Sequence, residues 1–281
     1  MVNEQQNPLS NYFRGKSIYT KLPSCGHYNA PEDIEFTPDN EVEVFAMTTA
    51  DELLFKSPDA LLNGESVAKV IESCVPGIKH VRSLPMNDIE VLLLAIRLIT
   101  YDHQIDFSSQ CPECETVKEF GVDIEWLLGN MEFLEPNVQV KLDNGLVVRL
   151  KPYTYALSVK AALLAFNESK FIEMLMQEDL TDEEKALRAT ASFEKAVKLT
   201  IELLANSIID IKDGDNNLIT ENYEHILEWL NKTSRNDTKK IEEQIKLLNV
   251  IGIPRIMEIE CDNCNHKWNT EINVDPSHFF E

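Results

Sequence analysis

Two short stretches carry side chains that could do chemistry together: "CPEC" at 111–114 and "CDNC" at 261–264. Each sets two thiols three positions apart, a spacing at which one tight turn aims both sulfurs at a single ion. One pair supplies half a tetrahedron, so the candidate ligands are Cys111, Cys114, Cys261 and Cys264. Four sulfurs leave no open coordination position for a substrate, as in structural zinc sites, and iron accepts the same donors. Structural zinc is the expected cofactor, with iron as the alternative. The same spacing also fits a thioredoxin-like redox pair or four inert thiols. Four thiolates around a divalent ion leave roughly two excess negative charges, which Lys118, Lys267 and backbone amides would offset. His266 borders the second pair, where it either forms a hydrogen bond or takes a cysteine's place. Cys25 and Cys74 have no partner at ligand spacing and read as small buried apolar residues.

The flanks say what must hold these sulfurs. "IDFSS" and "VKEFGVDI" surround the first pair, and "IMEIE" and "KWNTEINV" surround the second. Aligned on the cysteines, Phe120, Val122 and Ile124 correspond to Thr270, Ile272 and Val274, a period of two that suits strands with one buried face. Each half therefore predicts strand, knuckle, strand. More than half of the chain lies between the pairs. Closing so long a loop adds only a logarithmic entropy increment, which metal affinity can exceed. The ion would act as a clasp joining two distant β-hairpins.

The 281 residues are 43% hydrophobic, enough for a sizeable core. The 48 acidic and 26 basic residues give a net charge of −22, which opposes binding to nucleic acid or anionic lipid. The amino terminus lacks a basic-then-apolar leader, and the longest apolar run, Val91 to Ile99, is too short to span a bilayer and contains Arg97. The expectation is a soluble cytosolic chain without a membrane span.

Along the chain, "SIYTKL" and "EVEVFAM" read as short strands in a polar amino-terminal arm. "TTADELL" offers a capping box from Thr49 and Glu52. Short helices are expected after Ser57-Pro58 and through "ESVAKVIESCV", the latter ending at Gly77. "MNDIEVLLLAIRLITYD" is apolar nearly all round and predicts a buried central helix in which Arg97 needs a partner. "VQVKLDNGLVVRLKP" reads as a β-hairpin. Helices should cover Tyr155 to Gln177 and Thr181 to Ser207, the second with a Thr181–Glu184 capping box and an apolar stripe of Phe193, Val197, Thr200, Ile201, Leu204 and Ile208. Two more follow: "ENYEHILEWLN", striped by Tyr223, Ile226, Leu227 and Leu230, and "DTKKIEEQIKLLNVIG", stopping at Gly252. The predicted fold class is α+β and mostly helical: a four-cysteine, zinc-ribbon-like β base made from two distant hairpins, with a large helical insertion between them. The expected organisation is an extended arm over 1–45, a zinc-clasped α/β base from 46–125 and 251–281, and a β-hairpin plus helical insertion over 126–250.

Two motifs tempt and fail. "SNYFRGKS" at 10–17 imitates a phosphate-binding loop, but Ser10 replaces its first glycine and no apolar strand precedes it. "DGDNNLITENYE" matches a calcium loop at Asp213, Asp215, Asn217 and Glu224, yet Leu218 stands where glycine is needed; a turn between strands "IIDI" and "LIT" explains it equally. The remaining histidines, at 27, 80, 103, 225 and 278, lie near no sequence-local nucleophile pattern. No signature of a hydrolase, zinc protease or dinucleotide-binding enzyme is present, so a non-enzymatic protein is expected.

Taken in order, "LPSCGHY", "MTTADELL", "LPMNDIEVLLLAIRLITYD", "CPEC", "VVRLKPYTY", "CDNCNHKW" and "DPSHFF" span nearly the whole chain. Together they resemble the baseplate hub subunit and hub-assembly family of T-even-type contractile phages. That resemblance implies a structural or chaperone-like protein of the tail baseplate hub, with hub, tape-measure or other tail proteins as partners. It implies residence in the host cytoplasm during assembly or in the virion's tail baseplate. It carries the ligand role to Cys111, Cys114, Cys261 and Cys264 alone. A zinc-ribbon accessory of nucleic acid is the alternative, opposed by the acidic balance and the lack of a basic stripe near either knuckle. Phe279 and Phe280 near the end would dock into this chain's own core or into a neighbour's pocket.

Overall fold

The longest apolar run becomes the organising helix of the protein. The computed structural model describes residues 16–55, 63–177 and 181–272, with the side chains of 171–177 and 182–189 outside the description. Strands β1 (Ser17–Thr20) and β2 (Val42–Phe45) pair antiparallel and are followed by helices α1 (Thr49–Phe55), α2 (Glu65–Cys74) and α3 (Met86–Thr100). Every residue of α3 from Asn87 to Ile96 is buried. Next come β3 (Gln104–Gln110), β4 (Val117–Asp123) and α4 (Ile124–Gly129), then β5 (Val138–Lys141) and β6 (Val147–Leu150). Two long helices, α5 (Tyr155–Gln177) and α6 (Asp182–Asn206), precede β7 (Ile208–Lys212) and β8 (Leu218–Thr220). The chain finishes with α7 (Tyr223–Leu230), α8 (Arg235–Val250), β9 (Ile256–Glu260) and β10 (Lys267–Glu271). The class is α+β, built from helices and several small antiparallel sheets.

Two apolar clusters form. The first surrounds α3 and takes in Leu22, Val42 and Val44 from the amino-terminal part, Val70 and Ile71 from α2, and Ile105, Val122, Ile124 and Ile272 from the hairpins. The second joins β6 and β7 to α7 and α8 through Val148, Leu150, Ile211, Ile226, Ile241 and Ile245. Between them, Asn87 Nδ2 donates to the carbonyls of Leu248 (3.0 Å) and Ile251 (2.6 Å), tying the start of α3 to the end of α8. The described part of the first 45 residues is packed rather than projecting: Leu22, Val42 and Val44 are fully buried.

Several local readings shift. The helix-start box on α1 is formed by Thr48 and Asp51, not Thr49 and Glu52: Asp51 N donates to Thr48 Oγ1 (3.3 Å) and Thr48 N to Asp51 Oδ2 (2.8 Å). The doubled threonine allows either register, and burial of Asp51 accompanies the one observed. Helix α2 ends at Cys74, before Gly77, whose carbonyl accepts from Glu35 N. Helix α8 begins at Arg235, earlier than expected, because Ser234 caps it by accepting from Asp237 N. Ile208 leaves the predicted helical stripe and opens β7, while Phe193 and Val197 stay exposed at 69% and 41%. The insertion is thus more than a helical bundle: its centre is a four-stranded sheet in the order β5-β6-β7-β8. Asp-Asn-Gly turns β5 into β6 as expected, with Gly145 at φ 86°. Asp213 to Asn217 form the turn between β7 and β8: the Asp213 carboxylate accepts from the amides of Asp215 (3.0 Å) and Asn217 (2.8 Å). The strand–turn–strand alternative to a calcium loop is the one found. Arg97 donates to the Gln104 carbonyl (3.4 Å) and lies over the Tyr101 ring. The readings placed on Ser57-Pro58, Ser10 to Gly15, Val274, His278, Phe279 and Phe280 lie outside the described residues, as does the side chain of Glu184.

Candidate metal centre

Each cysteine pair sits at the tip of a two-stranded hairpin whose local sequence forces a tight turn. In the first, β3 and β4 run from Gln104 paired with Asp123 to Gln110 paired with Val117. In the second, β9 and β10 close at Glu260 paired with Lys267. The turns are copies of one another. Cys111 N donates to Thr116 O and Glu115 N to Cys111 O, each 2.9 Å; Cys261 N donates to His266 O and Asn265 N to Cys261 O, also each 2.9 Å. Glu115 and Asn265 take the left-handed conformation at φ 60° and 56°. That conformation turns the chain sharply enough for both sulfurs of a pair to face one point.

The two tips meet head to head. Cys111 Sγ lies 3.7 Å from Cys264 Sγ, and Cys114 Sγ lies 3.5 Å from Cys261 Sγ. All four sulfurs fall within 4.8 Å of one another. A tetrahedron of sulfurs about 2.3 Å from a central ion has edges of roughly 3.8 Å, whereas a disulfide would bring two sulfurs to about 2.05 Å. The spacing fits a shared cation. These two contacts run between the hairpins, first cysteine to second in both directions, so exchanging the hairpins returns the same pattern. Cys111 and Cys261 are buried, Cys114 is intermediate and Cys264 is exposed.

The thiols of Cys114 and Cys264 shift in opposite directions. The Thr116 hydroxyl and backbone amide, with the Asn263 amide, bring the Cys114 thiol down to about 5. The His266 backbone amide likewise favours a thiolate at Cys264, but desolvation and the sulfurs of Cys114, Cys261 and Cys111 outweigh it and push that thiol up to about 12. Four thiolates this close would repel one another, and a thiophilic cation between them would offset that charge. The donor set therefore suits a thiophilic metal ion.

Both lysines expected to offset the sulfurs engage acidic residues beside the second pair. Lys118 Nζ bonds the Glu260 carbonyl (2.6 Å) and the Asp262 carboxylate (2.9 Å) beside the second pair. Lys267 pairs with Glu260 and Glu258 of its own hairpin at 3.6 and 3.9 Å. His266 lends its backbone to the knuckle and stacks its ring on Trp268; the ligand group among the described residues is the four cysteines alone. Val122 and Ile272 are only 1% and 0% exposed, as the alternation requires, and Phe107 stacks on its register partner Phe120. Cys74 is buried, and Cys25 is half-buried in a left-handed turn at φ 49°.

A model of the T4 bacteriophage base plate protein family matches residues 19–281. The chain belongs to that family. No curated protein and no solved structure matches it. The baseplate chain thus carries its cysteine cluster within the matched region, and two other stretches quoted for the resemblance turn out to be joined. Ser24 of "LPSCGHY" donates from its amide to Asp88 Oδ1 (2.9 Å) and from its hydroxyl to Asp88 Oδ2 (2.5 Å), fixing that loop to the first turn of α3. Arg255, just before β9, donates to Glu90 Oε2 at 2.6 Å. Asn87, Asp88 and Glu90 are thus the polar anchors of a helix whose sequence reads as apolar all round. The available signal was their clustering in "MNDIE", ahead of the apolar run. Among the described residues no helix is long and apolar enough to cross a membrane.

Proposed function

We propose that this baseplate protein is a non-enzymatic component of the tail hub, acting as a resident subunit or as a chaperone-like assembly factor, and that zinc staples its two hairpins. The family match over residues 19–281 carries the baseplate reading. The cluster of four sulfurs supports the staple, because a complete set of protein ligands leaves no site for substrate. The partners are other hub, tape-measure or tail proteins. They meet the chain in the host cytoplasm during assembly and, for a resident subunit, in the virion. Nucleic acid is not among the partners, since the net charge of −22 repels phosphate.

Quantitative mass spectrometry of purified virions beside infected-cell extract tests this role, paired with electron microscopy of particles made without the protein. A fixed copy number per tail marks a resident subunit, and presence in extract alone marks an assembly factor. In either case baseplates should fail to form without it. Normal baseplates in its absence would overturn the proposal.

A further inference from the structure

The two hairpins share a constant numbering offset, so the residue seven places after the first cysteine is Lys118 in one and Trp268 in the other. Both reach across the centre. Lys118 Nζ grips the Glu260 carbonyl and the Asp262 carboxylate, the two residues flanking Cys261. Trp268 Nε1 donates to Ser109 Oγ at 3.1 Å, on the strand leading into Cys111, and Thr270 Oγ1 bonds the same oxygen at 3.0 Å. Ser109 is also the register partner of Lys118, so both ties cross on one rung of β3–β4. The Lys118 side chain is 23% exposed, which screens its ion pair less than that of Lys267, 60% exposed and bound within its own hairpin.

We infer that Lys118 and Trp268 are positioning residues of the metal centre, holding the hairpins tip to tip so that a bound thiophilic divalent cation is slow to leave. The inference rests on the reading that the cysteines bind a metal. An ion held by two pairs of thiolates escapes only when one pair swings away. Cross-hairpin ties keep the departing pair at high effective concentration, so recapture outruns release. Residues that orient ligands without touching the metal commonly change its affinity by 10–100-fold.

The test uses full-length zinc-loaded protein mixed with excess chromophoric chelator, following the rate of zinc release. Lys118→Met and Trp268→Phe should each release zinc about tenfold faster than the parent, with unchanged circular dichroism. Lys118→Arg, whose guanidinium can still donate to both acceptors, should release near the parent rate. Lys267→Met, acting on a pair within one hairpin, should do the same. Asp262→Asn, at an 83% exposed side chain, weakens the lysine tie without touching the core and gives the same comparison if Lys118→Met does not fold. Parent-like release from Lys118→Met (or, in its place, Asp262→Asn) and from Trp268→Phe, or equal acceleration by Lys267→Met, would overturn the positioning role while leaving the metal reading intact. A parent protein that takes up no zinc would overturn both.

Discussion

The surroundings of α3 and the paired knuckles solve the same problem, fixing chain in space, by opposite means. Around α3 a continuous run from Asn87 to Ile96 is buried, so apolar area removed from water holds the helix. At the knuckles, β3 and β9 each bury one residue, Ile105 and Ile259, and their remaining residues are exposed or half-buried. A two-stranded hairpin has little stability of its own in water. What the knuckle region lacks in burial it replaces with convergent sulfurs, a lysine tie and an indole tie. The difference teaches that the helix should survive loss of the cluster, whereas the cluster's geometry should depend on the proposed ion.

The largest effect expected from breaking this contrast is in the helix. Leu92 is fully buried in α3, and Leu92→Ala should lower the unfolding free energy by about 2–5 kcal/mol, through lost transfer energy and a residual cavity. Urea denaturation would show it as a lower midpoint for the whole transition. If the sulfurs hold the proposed ion, removing it should act more locally. For a site held at a hundredfold excess of free metal over its Kd, stripping the ion forfeits about 2.7 kcal/mol. Hydrogen exchange should then speed up at β3, β4, β9 and β10 and stay slow in α3. Equal loss of protection in α3 would contradict the separation of the two regions.

A smaller effect should come from Asp88, whose carboxyl burial raises to about 7 against the opposing pull of its two Ser24 hydrogen bonds. The folded value lies above the ordinary 3.8, so the associated stability is fully present below about 4 and is lost as pH climbs through about 7. The aligned amides at the start of α3 favour the carboxylate and reduce the effect. Melting temperature should fall by a few degrees between those limits, and Asp88→Asn should flatten that part of the profile. A parallel profile for the variant would show that Asp88 does not titrate with folding.

Legibility in the sequence followed the same divide. The two cysteine hairpins were readable because each Cys-x-x-Cys has the spacing that a shared ion would require, and because alternation at Phe120, Val122 and Ile272 marks one buried face. That the two pairs meet followed from valence, since each pair alone supplies half a ligand set. The helix α3 was equally plain from its apolar run. Its anchors were not, because Ser24 and Arg255 lie far from Asp88 and Glu90 in the chain and become partners only on folding. Ile208 departs from its expected helix because an apolar residue one turn beyond Leu204 continues a helical stripe as readily as it opens a strand. Its strand pairs with β6, a long-range contact with no local signature. Phe193 fits helical spacing yet stays exposed, since spacing states which residues share a face and not what lies against it.

X-ray absorption at the zinc edge of the purified full-length protein tests the clasp most directly. One ion per chain with a shell of four sulfurs at about 2.3 Å is the predicted result. A metal-free protein, or a shell dominated by nitrogen and oxygen, would contradict it.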